Sequence, residues 1–363
     1  MDPCLYMLDD KDTGVFSFIL LYVDDLIIAS NSVTHMLSIK RKLNAEYDMK
    51  DLGELDYCLG LSFARDRVAR TIAIGQEHYI KATLEQFDMS KSWTVKTPGD
   101  SNINLTKDQC PTSNEAKAEM ITIPYREAIG CLLYIMCCTR PDIAFAVNTC
   151  ARFMGNPGME HWKAVGRIMR YLKGTMKKSI TMGSMIDKSE VLGKSAYSLL
   201  NSDNCKVDKK NVLLGFSDAN FGGCPDTRRS TTGFIFFFNG PISWNSKLQP
   251  TVAQSPCEAE YMALYTAASE SRWLSQLLDE ISENLCKDVV IFEDNTSTIA
   301  LANHDKITSR SKHIDIKYHG IQEWIQAGFL RLLHARTRVM CADGLTKNLG
   351  SNLAGDHNKT MCG

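Results

Sequence analysis

LLGFSDANFGGCPDTRRSTTGFIFFF, residues 213–238, reads as a strand, a polar turn and a second strand. Side chains alternate along a strand, so Leu214, Phe216 and Asp218 fall on one face. A carboxylate therefore stands where the pattern asks for a third apolar residue. On an inward face it is costly unless a cation or hydrogen bonds satisfy it. An edge-strand Asp turned to water is the competing reading, and the rest of the chain must choose between them.

Working outward, PISWNSK after the Asn239-Gly240 turn is a third strand, and SPCEAEYMALYTAASESRWLSQLLDEI opens a long helix. VVIFED gives a fourth strand, TSTIALANH a short helix, HIDIKYHGIQEWIQAG a longer one, FLRLLHA a fifth strand, and CADGLTKNL begins a last helix. Antiparallel hairpins followed by alternating strands and helices imply a mixed sheet with helices packed on it. The acids in these elements differ in local role. Ser255-Pro256-Cys257-Glu258 has the form of a helix start, which gives Glu258 a structural task as capping-box partner. Glu260 lies ~200° around the helix from Glu258 and has no such task. Glu293 and Asp294 point to opposite faces of their strand, and Asp294 closes it, where carboxylates commonly line a site. Asp343 opens the last helix, where a dipole-complementing or N-cap role competes with a site role. Asp218, Glu260, Asp294 and Asp343 are the expected site, all facing one edge of the sheet.

Upstream, VFSFILLYVDDLIIAS forms a hairpin with Asp24 and Asp25 at its tip, preceded by a hairpin turning at DDKDTG. A helix is expected over 32–49, two strands about a charged turn in LDYCLGLSFARDRVARTIAIGQ, and a helix in EHYIKATLEQFDM. Residues 101–117 read as a surface connector. Helices follow over 125–138, 141–154 and in EHWKAVGRIMRYLKG, whose Lys163, Arg167, Arg170 and Lys173 form a basic stripe beside an apolar one. Residues 119–180 carry nine Lys or Arg against four Asp or Glu, a local excess hidden in a chain of net charge −1. A solvated helix face and a track for a phosphate backbone both fit such a stripe.

These segments, in order, resemble the C-terminal part of copia-type LTR retrotransposon Pol polyproteins. YVDDLIIAS is similar to the palm metal motif of their reverse transcriptase, and DLGELDYCLGLSF, RTIAIGQEHYIKATLEQFDM and KTPGD to the palm end, primer-gripping hairpin and first thumb helix. GFSDANFGGCPDTRRSTTGFIF, CEAEYMAL, EDNTSTIAL, SRSKHIDIKYH and CADGLTK resemble the landmarks of the family's ribonuclease H domain. The likeness spans 1–180 and 213–347. It implies an α/β and α+β multidomain chain: a partial palm (1–75), a thumb-like helical region (76–178), a divergent connector (179–212), a ribonuclease H-like domain built on a mixed five-stranded sheet with flanking helices (213–350), and a tail (351–363).

The implied activity is metal-dependent hydrolysis of the RNA strand of RNA–DNA hybrids. Asp218, Glu260, Asp294 and Asp343 would hold two Mg2+ ions, or Mn2+, with Asp24 and Asp25 as a polymerase metal remnant. Candidate nucleic-acid contacts are Arg228, Arg229, Lys312, His313, Lys163, Arg167 and Arg170. His334 reads as structural rather than as a proton shuttle. Asn220 and Phe221 stand where the family usually has an acidic residue and Trp, Cys224 where Asp is frequent, and Asn348 where Pro is common. None of these touches the four acids. A polymerase needs a further acid well upstream of Asp24, and 23 residues precede it, so polymerisation is not expected. An inactive remnant that binds nucleic acid is the second reading, and a subunit completing a polymerase with a partner the third. Other Pol products or a second copy are possible partners.

Composition narrows the class further. The hydrophobic share, 44%, suits ordinary globular cores. Thirteen scattered cysteines without a C-x-x-C pair argue against a zinc site or disulfide framework. Reduced thiols point to an intracellular chain, in a cytoplasmic particle or the nucleus, rather than a secreted one. No basic-plus-apolar leader pattern and no apolar run of ~18 residues occurs, so no membrane segment is expected.

Overall fold

The computed structural model describes residues 3–183, 200, 211–283, 285–303 and 315–362. At the N-terminus β1 (Leu5–Asp10), β2 (Val15–Tyr22) and β3 (Asp25–Ser30) form an antiparallel sheet in chain order. Asp10 closes the first turn by accepting hydrogen bonds from the amides of Asp12 (3.1 Å) and Thr13 (3.3 Å). Tyr22 pairs with Asp25, leaving Val23 and Asp24 as the two-residue turn, with Val23 at φ +54°. That left-handed conformation is uncommon for a β-branched residue. Helix α1 (Val33–Glu46) follows, with Ser32 as its N-cap and no buried side chain.

A second antiparallel sheet is built from β4 (Tyr57–Cys58), β5 (Leu61–Asp66), β6 (Thr71–Gly75) and, after a helical excursion, β7 (Ser179–Gly183). The excursion comprises α2 (Glu77–Gln86), α3 (Asn114–Ile121), α4 (Tyr125–Cys138), α5 (Ala144–Ala151) and α6 (Met159–Gly174). Expected as one helix over 141–154, the third segment begins instead as a 3-10 turn at Pro141–Ile143 and continues as α5. Residues 179–183 were expected to open a connector. They are strand, Ile180 pairing with Ile74.

The third sheet, order β10-β9-β8-β11-β12, is the five-stranded mixed one. β8 (Val212–Asn220), β9 (Thr231–Phe237) and β10 (Pro241–Leu248) are antiparallel, while β11 (Asp288–Glu293) runs parallel to β8 and to β12 (Leu330–His334). α7 (Pro256–Ile281) crosses it, with α8 (Thr296–Asn303) and α9 (Asp315–Gln326) between β11 and β12. Its two faces serve different partners. Leu213, Phe236, Val289 and Ile291 pack with Tyr261, Leu264 and Ala268 of α7. Val212, Leu214, Phe216, Val290 and Phe292 join one core with α4, α5 and α6. The strand alternation read in residues 213–218 thus assigns β8 to two cores at once, and the helical middle is packed directly onto the sheet.

Residues 351–363, expected as a tail, hold α10 (Ser351–Cys362), whose Met361 and Cys362 are buried in the shared core. Apolar residues three to four apart near the chain end supply the stripe that docks it. No single helix among the described residues is long and apolar enough to cross a membrane.

Candidate metal centre

Each acid reaches the centre by a different local rule. Asp218 lies in β8 on the Leu214–Phe216 face and is 3% exposed. Opposite it in β9 is Gly233. A Cβ there would come within 2.6 Å of Thr346 Cγ2 and 2.9 Å of Leu345 Cβ, so the missing side chain lets the following turn press close. Glu260 heads the buried stripe Glu260, Leu264, Ala267, Ser271, Leu274, Leu278 of α7, whose three-to-four spacing carries it against the sheet. Ser255 caps that helix through the Glu258 amide (3.2 Å), and Glu258 reaches back to the Gln254 amide (2.7 Å). Glu258 thus supports the helix start, but through the residue before the cap rather than through the Ser255 amide that a capping box would use. Asp294 follows the last residue of β11, with one oxygen accepting from the Thr337 hydroxyl (2.8 Å). Asp343 sits in a 3-10 turn, Cys341–Leu345, rather than opening a helix, and is 1% exposed.

One carboxylate oxygen each from Asp218, Glu260 and Asp294 lies within 4.8 Å of the others, the one such metal-suited group of His, Cys, Asp or Glu among the described residues. Asp343 stands beside it but outside it. Its Oδ1 accepts from Lys347 Nζ at 2.9 Å, and the neighbouring Thr346 hydroxyl donates to Asp218 Oδ2.

Charge is crowded here. Burial, then the Asp343 charge, pushes the Asp218 carboxyl up to about 7. Burial, then Glu293 and Asp218, pushes Glu260 up to about 10. Burial also raises Asp343, against the pull of Lys347. Burial opposes the Lys347 charge, but Asp218 and Asp343 outweigh it and hold the ammonium protonated. Glu260 Oε2 is a buried acceptor without a hydrogen-bond donor. Hard oxygen donors so arranged are compatible with a divalent cation, which would relieve their mutual repulsion.

Sequence reasoning missed Glu293. Strand alternation sends it away from Asp294, as expected, but that face is the α7 face, where Glu260 waits. It is fully buried, Oε1 accepting from the Asn295 amide (3.1 Å) and Oε2 unpaired, with a carboxyl raised well above normal by burial. The sequence sign was a second acid at the strand end. Thr337, Thr346 and Lys347 were also missed.

The other candidates are elsewhere. Asp24 and Asp25 are exposed at the β2–β3 tip. Arg228, at φ +55°, is exposed in the β8–β9 turn, and Arg229 is partly covered, its guanidinium near the Thr227 hydroxyl. Lys163 pairs with Glu160 (2.6 Å), Arg167 with Asp100 (3.1 Å), and Arg170 lies 4.7 Å over the Trp93 ring, so the basic stripe is partly engaged within the chain. His334 is exposed at the end of β12. Lys312 and His313 lie outside the described residues.

Residues 5–101 match the family described as reverse transcriptase (RNA-dependent DNA polymerase). The chain is 39% identical to the retrovirus-related Pol polyprotein from transposon TNT 1-94 of Nicotiana tabacum over 97% of its own length, and 35% identical to that from transposon RE1 of Arabidopsis thaliana over 96%. It belongs to the copia-type Pol family. It spans 24% and 22% of the length of those two family members. An uncharacterised mitochondrial protein of Arabidopsis thaliana is 31% identical over 71% of this chain and 94% of its own. Among solved structures, a foamy viral protease-reverse transcriptase in complex with RNA/DNA hybrid aligns over 88% of this chain and 36% of its own at 12% identity and a TM-score of 0.42. An RNase H1 isolated from compost aligns over 38% of this chain and 93% of its own at 16% identity and a TM-score of 0.30. Likenesses at that level decide nothing for the family assignment, which rests on sequence.

Proposed function

We propose that this chain hydrolyses the RNA strand of RNA–DNA hybrids at the acid centre, in a ribonuclease H-like unit formed by the five-stranded sheet and its helices. The observation that carries the reading is the convergence of Asp218, Glu260 and Asp294 within 4.8 Å, with buried Asp343 alongside. Acids drawn from β8, α7 and the end of β11 have no local reason to meet, and their meeting costs stability unless a cation is to be held. Asp218, Glu260 and Asp294 would hold it, and a divalent ion bound there supplies polarisation of a phosphate oxygen and a more acidic water.

The chain's own groups do the positioning. Thr337 fixes the Asp294 carboxylate and Thr346 fixes Asp218. Exposed Arg228, and Arg229 beside it, offer charge to a phosphate backbone. The basic stripe of α6 is proposed to follow the same duplex with whatever charge its internal partners leave free. Choice of RNA would come from the 2′-hydroxyl and the shape of the hybrid.

The test is a labelled RNA–DNA hybrid incubated with the purified chain and Mg2+, and with chelator in place of Mg2+. RNA cleavage is expected only with Mg2+. Asp294→Asn should lower it by roughly a hundredfold or more, the scale of losing a charge aimed at the reacting centre, while the thermal transition stays near wild type. Cleavage that survives the substitution, or a folded wild type that leaves the hybrid intact, would sink the reading.

A further inference from the structure

The chain between α2 and α3, expected in part as a surface connector, is a strap laid along α6 in the opposite direction. Asp100 and the Thr97 hydroxyl accept from Arg167 (3.1 Å each). Further on, His161 accepts the Gly158 amide at Nδ1 (2.9 Å), so its Nε2 carries the proton and donates to the Thr106 carbonyl (3.1 Å). Gln109 lies so close to Gly158 that a Cβ there would meet its carbonyl oxygen at 1.9 Å. The strap also reaches the five-stranded sheet at two turns. Asn348, in the stretch that follows Asp343, donates to the Asp100 carbonyl (3.1 Å). The Lys107 amide donates to both carboxylate oxygens of Asp226 (3.0 and 3.2 Å), in the turn that follows the strand of Asp218. Lys107 and Asp226 are 119 residues apart, so this bond is no by-product of local structure.

We infer that Asp226 is a positioning residue, whose bond to the Lys107 amide latches the β8–β9 turn to the strap and fixes where Arg228 and Arg229 stand relative to the acid centre. The inference rests on the reading of those arginines as phosphate contacts under the proposed function. Bonds inside the turn run from the Arg228 amide to the Cys224 carbonyl (2.8 Å) and from the Cys224 amide to the Arg229 carbonyl (3.1 Å). They close the turn on itself but set no direction for it as a whole. Arg152, just past α5, lies against Cys224 at the base, and Asp226 fastens the tip. A negative charge two residues from Arg228 works against phosphate binding unless the residue has another task. The latch is that task. With one end tied beside Asp343 and the other to Asp226, the strap spans the interval between the acid centre and the arginines.

Hybrid binding by the full chain tests the latch, read by fluorescence anisotropy in chelator over a range of salt. Lys107→Pro removes the donor amide at the first position of a 3-10 turn (Lys107–Gln109), where proline is favoured, and Thr106 before it is already extended (φ −136°, ψ 163°). Lys107→Ala loses the same side chain and keeps the amide, so the pair isolates the bond. Lys107→Pro should bind roughly three- to tenfold more weakly than Lys107→Ala, the scale of one lost phosphate contact, with a salt slope shallower by about one, as in Arg228→Ala. Asp226→Ala should be weaker than Asp226→Asn by a similar factor, since both lose the charge and only the second keeps an acceptor oxygen. Equal affinity and slope within either pair of folded variants would overturn the inference. Should Lys107→Pro fail to fold, the two Asp226 variants decide. Cleavage on the same samples separates the claims. Cleavage by wild type with binding indifferent to the latch removes the inference alone. Latch-dependent binding without cleavage removes the hydrolysis and leaves the latch, and a wild type that does not bind the hybrid removes both.

Discussion

Glu293 sits against Glu260 with no exposed surface and one oxygen unpaired, yet strand alternation alone argues that it faces away from the site acid next to it. The alternation holds for Glu293, which belongs to β11, and says less about Asp294, which follows the strand's last residue. Burial keeps the Glu293 carboxyl protonated well above the usual range, so at neutral pH an amide mimics it. Glu293→Gln should therefore leave the metal-free thermal midpoint at neutral pH within a few degrees of wild type, since a neutral amide replaces a neutral carboxyl of the same shape. Its hybrid cleavage should stay within about tenfold of wild type. A loss as deep as that of Asp294→Asn would place Glu293 among the metal ligands instead. By contrast, Asp218 was legible as a site residue because its face is otherwise apolar, and Glu260 because it has no capping task.

At the scale of elements, a buried ion pair fastens the helical middle to the end of the chain. Arg140 and Asp142, flanking Pro141, meet through two hydrogen bonds of 2.9 and 2.8 Å, both side chains fully covered. Arg140 also donates to the Thr175 carbonyl and hydroxyl at the end of α6. Tyr171 of α6 donates to Asp142 (2.6 Å), and Asn358 of α10 donates to the Tyr171 oxygen (2.9 Å). Burial opposes the Asp142 charge, but Arg140 outweighs it and lowers the carboxyl below its normal value. Asp142→Ala strands the arginine, and denaturant unfolding should show a loss of roughly 3–5 kcal/mol. The double change Arg140→Met with Asp142→Leu should lose much less, because no charge is left buried. Equal losses would mean that packing, not charge pairing, sets the stability here. The sequence shows Arg140-Pro141-Asp142 as a helix start and nothing more, since its partners lie 29 or more residues away.

For the whole molecule the acid centre makes stability depend on pH and metal together. In the fold Asp218 is raised to about 7 and Glu260 to about 10, so the folded chain holds protons that the unfolded chain releases near pH 4. The stability these groups allow is complete below about pH 4 and is lost as pH rises, through about 7 for Asp218 and on toward 10 for Glu260. In chelator the thermal midpoint should fall by several degrees between about pH 5 and 9, acid denaturation of other groups aside. Mg2+ should flatten that fall, because it binds the ionised acids and so favours the folded state. A midpoint that is flat in chelator would show that the buried acids are not held protonated by the fold, and one that Mg2+ leaves unmoved at pH 9 would show that they do not bind the ion. The shared core also bears on this scale, since one face of the five-stranded sheet packs against α4–α6 and α10. Loosening at the centre and at the helical middle should therefore appear as one transition.

Alternation over residues 213–218, the capped start at Ser255 and the hairpin around Asp24 are properties of neighbours along the chain. They were legible because strand and helix periods are set by local backbone geometry. The order of elements, and with it the mixed sheet, follows from the same rules. The placement of β7 in the second sheet, the docking of α10, the packing of the helical middle on the sheet and the approach of Glu293 to Glu260 are different in kind. So is the approach of Thr346 to Asp218. Each depends on the distance between segments far apart in sequence and on which face of an element meets which neighbour. Burial and charge coupling, which set the chemistry of the centre, exist only once those segments have packed.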